Sequence, residues 1–227
     1  MDFESGAIAA FQDCISFVQL HGCHFHFCQS IFRKLSTLGL KGQYTDVAFR
    51  SFGTFVKCIF ALPFLPVERI PNTFDELVNL LEDDYEDAGV QYPRALVDFI
   101  AYLKKTWVDD DSKYPKEMWN IRNLGDRRTN NYVEGWHSLC RKHFGVGKNL
   151  WKFLMQLKKL EAQTRALLQL QESGENVNTR RLKQKRKEGK INRILQGYHS
   201  DVYEDDIAFV RALAHLQASF TIVEDAD

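Results

Sequence analysis

Arg128-Thr129-Asn130-Asn131-Tyr132-Val133-Glu134-Gly135-Trp136-His137 opens a helix and places one carboxylate in its first turn. An asparagine at 130 or 131 offers the short polar side chain that accepts a helix's first free N–H groups, and Val133, Trp136, Cys140 and Phe144 then recur at threes and fours. The spacing predicts a helix with an apolar stripe and with Glu134 in its opening turn. There the backbone dipole favours negative charge. A first-turn carboxylate has two readings: it caps the helix or is solvated, or it is presented for chemistry among its polar and aromatic neighbours. These ten residues leave both open.

Outward from this stretch the chain reads as helix after helix. Ile8 and Phe11 share one face of a short helix over 5–13, whereas Phe17-Val18-Gln19-Leu20 alternates and predicts a single strand ending at Gly22. From His24, Phe25, Cys28, Leu35 and Leu38 keep helical period until Gly39, a residue suited to the left-handed end of a helix. Thr45 and Asp46 are expected to cap a helix that Pro63 ends, and Thr73-Phe74-Asp75-Glu76 has the form of a capping box. Pro93 fits the opening of the next helix, which carries Leu96, Phe99, Ile100 and Leu103. Asn149 starts a long one, with Leu150, Phe153, Leu154, Leu157, Leu160, Thr164, Leu167 and Leu168 on one face. That stripe, together with Trp136, is expected to be core. A polar break over 173–178, a basic run and a last helix bearing Ile207, Val210, Leu213 and Ala214 complete the chain.

Composition narrows the class. At 227 residues and 44% hydrophobic, the chain can bury a large core, which excludes disorder throughout. Its 30 basic and 30 acidic residues cancel, so no global field draws nucleic acid. The charges are segregated, however. Seven acidic residues and no base lie between 75 and 87, while Arg180, Arg181, Lys183, Lys185, Arg186, Lys187, Lys190 and Arg193 face only Glu188. Five cysteines and no leader sequence predict a reducing compartment, and no apolar run reaches the roughly 18 residues that cross a bilayer. The expectation is a soluble intracellular protein with no membrane partner.

Four blocks together carry a resemblance. They are Met1-Asp2-Phe3-Glu4 running into Ala7-Ile8-Ala9-Ala10-Phe11; Gly22-Cys23-His24-Phe25-His26-Phe27-Cys28-Gln29; Ala61-Leu62-Pro63-Phe64-Leu65-Pro66; and Thr129-Asn130-Asn131 through Glu134-Gly135-Trp136-His137. In order and spacing, over roughly residues 1–172, the chain resembles a MULE-type (Mutator-like element) transposase domain. The resemblance implies a ribonuclease-H-like fold in which two aspartates and a glutamate hold divalent metal, Mg or Mn, for DNA strand cleavage and strand transfer. Two cations about 3.5–4 Å apart stabilise the attacking and leaving oxygens of such a displacement, and hard ions take oxygen ligands.

By the same resemblance Asp2 is the second aspartate, Glu134 is the glutamate, and an inserted helical domain brings the glutamate back to the active site. The first aspartate has no counterpart after Met1. The implied product is therefore a truncated or degenerate transposase domain, inactive as given, in a nuclear setting. The fold expectation is mostly α with an α+β remnant. A partial ribonuclease-H-like core occupies 1–40, a helical insertion 41–118, returning core helices with Glu134 119–172, and a basic, helical tail 173–227. The alternative is a non-catalytic, transposase-derived helical module that binds DNA or protein.

Cys23 and His26 have metal-ligand spacing but supply two ligands of four, and no second close pair appears, which argues against zinc. The resemblance places this pair near the second aspartate, in a structural role. The basic run is a solvated helix or an import signal, or else contacts the backbone of double-stranded DNA weakly. It has no aromatic residue between its cations for stacking on single-stranded bases. Oligomeric state is not legible.

Overall fold

The computed structural model describes residues 2–15, 19–46, 49–145, 149–175, 182–200 and 202–216, without side-chain detail at 126, 131, 132 and 182–184. The chain is mostly helical. In order come α1 (Ser5–Cys14), α2 (His24–Thr37), α3 (Lys41–Thr45), α4 (Arg50–Ala61), α5 (Ile70–Asp87), α6 (Arg94–Leu103), α7 (Lys116–Trp119), α8 (Asn131–Phe144), α9 (Leu150–Glu172), α10 (Leu182–His199) and α11 (Asp206–Ala214). No strand occurs among the described residues. Of the expected strand, Phe17 and Val18 lie outside them, and Gln19 and Leu20 are irregular chain. A short alternating run needs a neighbour to pair with, and what flanks this one is helix.

Two compact units emerge, residues 1–129 with 187–227, and residues 130–186. The first holds the core. Its centre is α4, where Phe52, Phe55, Val56, Cys58, Ile59 and Phe60 are all buried and which packs against α3, α5 and α11. A helix that is apolar on most sides has to be surrounded. Gly53 permits the close approach of α3, since a Cβ there would lie 3.1 Å from the Tyr44 carbonyl oxygen. Into the same core α2 sends Phe27, Cys28, Ile31, Phe32 and Leu35, α6 sends Leu96, Phe99 and Leu103, and α11 sends Ile207, Phe209, Val210 and Leu213. One core therefore runs through both of the segments read from the sequence as 1–40 and 41–118.

Two helix starts differ from the sequence reading. Helix α5 begins at Ile70 with Pro71 in its first turn, so Thr73 sits inside the helix and its hydroxyl donates back to the Arg69 carbonyl at 2.8 Å. Proline needs no N–H partner in a first turn and wins the start over the capping box. Thr45 closes α3, donating to the Gly42 carbonyl at 3.1 Å, and α4 begins only at Arg50. Gly39, at φ 76°, stands just after α2 as expected.

The second unit contains α8 and α9. Asn149 caps α9 by accepting from the Lys152 N–H at 2.9 Å. Gly145, at φ 55°, stands after α8, and the rings of Phe144 and Phe153 meet at 4.9 Å. The expectation of a buried Trp136 and a buried 150–168 stripe is overturned. Trp136 is 52% exposed and, of the stripe's large apolar side chains, only Leu160 is buried. The reason is geometric: two helices cover little of each other, and each apolar stripe needs a further layer.

Candidate functional site

The amino end of α2 gathers residues from most of the quoted blocks. Cys23, buried, is the residue just before α2. The neighbouring backbone is pinned on both sides: the Gly22 N–H donates to the Met118 carbonyl at 2.7 Å and the His24 N–H to the Arg128 carbonyl at 2.9 Å. One turn into the helix, His26 Nδ1 lies 3.1 Å from Asp2 Oδ1, with side chains 20% and 53% exposed. Two residues singled out from sequence, 24 positions apart, thus meet. Phe3 fixes Asp2 in place. Its ring stands edge-on to Trp107 at 4.9 Å, its carbonyl accepts from the Tyr114 hydroxyl at 2.8 Å, and its para carbon lies 2.1 Å from where a Cβ on Gly22 would be.

His24 is the most perturbed group here. Its Nε2 lies 2.8 Å from the Phe60 carbonyl oxygen, which can only accept, so Nε2 carries the proton. Burial of the imidazole lowers its pKa to about 4; the bond to Phe60 opposes this, and the charges of Lys187 and Arg128 add to it. Cys28 Sγ lies 3.5 Å from the same nitrogen, and burial pushes that thiol well above its ordinary range. A thiol held protonated is an inert core group, not a nucleophile.

The 61–66 block is buried beside this end of α2 and held through its carbonyls. Asn120 Nδ2 donates to Leu65 at 2.7 Å, Arg122 Nη1 to Phe64 at 2.9 Å, and the Ile121 N–H to Pro63 at 2.9 Å. Over the Phe64 ring, 5.4 Å from its centre, sits the guanidinium of Arg128, which is ion-paired to Glu188 and donates to Asn192 Oδ1 at 3.3 Å. Arg128 is the functional-looking residue that sequence reasoning missed. It opens the quoted block, but its partner stands 60 positions away, in a run that reads as basic.

Glu134 sits in the first turn of α8 and is exposed. Asn130 occupies the cap position without accepting the cap bond. Asp2 belongs to the first unit and Glu134 to the second. Of the basic run, Arg180 and Arg181 lie outside the described residues and Lys183 has no described side chain, whereas Lys185, Arg186, Lys187, Lys190 and Arg193 are exposed on α10. The opposite side of α10 turns Ile191, Ile194, Leu195 and Tyr198 to the core.

As a metal centre the donor set is poor. Beside Asp2 the near ligand atom is an imidazole nitrogen, where a hard ion such as Mg²⁺ takes oxygens. Among the described residues no three His, Cys, Asp or Glu side chains group to hold a metal ion. A cleft of about 270 Å³ lies elsewhere in the first unit, between α4, α5 and α11, with Arg50 and Arg211 among its lining residues and none of the site residues in it. No described helix is long and apolar enough to cross a membrane, and none of the five cysteines is in a disulfide. No family model, curated protein or solved structure matches the chain.

Proposed function

We propose that this chain is a degenerate MULE-type transposase domain that binds double-stranded DNA but does not cut it. The observation that carries the reading is the convergence on α2. Asp2 and Phe3, Cys23 to His26, and Phe64 come from three separate blocks of the resemblance and, with Arg128 from just ahead of the fourth, pack around one helix end. Blocks preserved in order and gathered in space support common descent of a working centre, with Asp2 and Glu134 as the carboxylates of the parent chemistry. That parent chemistry is metal-dependent strand cleavage and transfer. The near ligand atom beside Asp2 is an imidazole nitrogen, and a site short of anchoring carboxylates loses both affinity for the ions and their placement, on which phosphoryl transfer depends.

DNA binding is assigned to α10. Lys190 and Arg193 lie three positions apart, which puts them on a single solvent-facing side. They have the spacing and charge to neutralise backbone phosphates without reading sequence, and each phosphate contact steepens the salt dependence by roughly one power. Labelled duplex incubated with the full chain and Mg²⁺ or Mn²⁺ tests both halves. The expected result is uncut DNA and weak binding that falls as salt rises, with the salt slope reduced in Lys190→Gln/Arg193→Gln. Cleavage that disappears in Glu134→Gln would overturn the non-cleaving assignment. Binding indifferent to salt and to the α10 changes would overturn the DNA assignment.

A further inference from the structure

Helix α9 carries an apolar face that its own unit leaves uncovered. Leu150, Phe153, Leu154 and Leu157 recur at threes and fours at its start, and Leu167 and Leu168 take up the same side near its end, each 37% to 65% exposed. Single exposed apolar side chains need no explanation, but six along one side of a helix make an apolar face of the kind that docks a partner. At 23 residues and about 1.5 Å per residue, the stripe has the length of a recognition helix. Charge adds a second, independent property. Residues 131–172, which span α8 and α9, hold 7 basic and 3 acidic side chains, an excess of +4. Lys158 lies one turn on from Leu154 and flanks the stripe. Arg165, on the same edge, pairs with Glu161 at 2.8 Å.

We propose that this face of α9 docks an acidic, amphipathic helix of another polypeptide. Such a helix lays its apolar stripe along 150–168 and turns carboxylates toward Lys158 and Arg165, a helix-on-helix mode read as anchors at threes and fours. A second copy of this chain fits less well. Its hairpin brings the same +4 excess, and its own acidic amphipathic helix, α5, has Phe74, Leu77, Val78 and Leu81 already buried in its core. Duplex DNA answers the charge but offers no apolar face of helix length. The proposal stands apart from DNA binding by α10, and either can fail without the other.

The test uses the full chain and a fluorescent synthetic helix of 23 residues, with leucines at the first and fourth positions of each heptad and glutamates on its outer faces. A scrambled peptide of the same composition and a version with lysine for glutamate serve as comparisons. Anisotropy should show saturable binding of the acidic helix, at least about tenfold tighter than either comparison. Leu157→Asn/Leu168→Asn should weaken it by a similar factor while circular dichroism keeps its helical signal, because both side chains are exposed. Lys158→Glu, which leaves the stripe whole, should weaken the acidic helix and strengthen the lysine version. Equal binding of the scrambled or lysine peptide overturns the proposal. So does competitive displacement of the bound helix by a 20-base-pair duplex, which would give the face to nucleic acid. A concentration-dependent dimer in light scattering that the double variant abolishes would give it to a second copy, and overturns the proposal too.

Discussion

Helices α2 and α9 obey the same rule of spacing and meet opposite fates. In α2, Phe27, Ile31 and Leu35 are buried beneath α6 and the aromatic cluster of Trp107 and Trp119, where Phe27 stacks on Trp119 at 5.1 Å. In α9, Leu150, Leu157 and Leu168 point to solvent. Periodicity fixes which side of a helix is apolar, but burial depends on whether other elements arrive to cover it. The first unit has several layers of helices to do so, and the hairpin has only its own two.

The largest effect should come from testing that contrast with tryptophans. Trp119 is fully buried and its indole N–H donates to the Trp107 carbonyl at 3.1 Å, so Trp119→Ala should cost about 3–5 kcal/mol. Trp136→Ala should stay within about 0.5 kcal/mol, as a surface change does. Because the two units need not unfold together, hydrogen exchange of α2 and α4 is the cleaner readout. A loss of stability at Trp136 as large as at Trp119 would mean that the hairpin face is covered in solution.

Arg128 comes next. Its guanidinium is buried, and removing it leaves Glu188, 30% exposed, without that partner. Arg128→Met should therefore cost about 3 kcal/mol, mostly through the stranded carboxylate. The paired change Arg128→Met/Glu188→Leu should recover most of that loss. If the double variant is no more stable than the single, the pair is not what holds α10 to the first unit.

The same contrast separates what the sequence made legible from what it did not. Helices whose faces carry Leu96, Phe99 and Leu103, or Ile207, Val210 and Leu213, were readable because local spacing and tertiary demand agree. Asn149 as a cap and Gly39 as a stop were readable because each acts on neighbours within four residues. The start of α5 was not, because two local signals compete there and proline decides. Nor were the partnerships of Asp2 with His26, His24 with Phe60 and Arg128 with Glu188, which join positions 24, 36 and 60 apart. The resemblance put Cys23 and His26 near Asp2, and His26 does lie there, but spacing alone could not have chosen it over His24.

His24 extends the comparison to pH. With its pKa near 4 in the folded chain and about 6.5 unfolded, the unfolded state binds the proton more readily. Stability is therefore unaffected by this group above pH 7 and falls progressively as pH drops from about 6.5 to 4. After allowance for partial exposure of the ring, the loss amounts to roughly 2 kcal/mol. His24→Gln, which can still donate to the Phe60 carbonyl, should flatten that part of the pH profile of the first unit. A pH profile that His24→Gln leaves unchanged would show that the slope has another source.

The smallest expected effect probes the hairpin directly. Asn149 satisfies the Lys152 N–H at the start of a helix that gains little from packing, since Leu160 is the one large apolar side chain of α9 that is buried. A helix supported mainly by its own propensity and caps responds to cap loss more locally than one locked into a core. Asn149→Ala should cost about 1 kcal/mol, and that loss should appear as faster amide exchange through the first turns of α9 while α2 and α4 keep their protection. If the acidic helix proposed above is added, its docking should draw on the same turns and restore their protection in the Asn149→Ala chain. Slowed exchange in α2 and α4 instead, with none in α9, would mean that the added helix binds the first unit and that the leucine face has been misassigned.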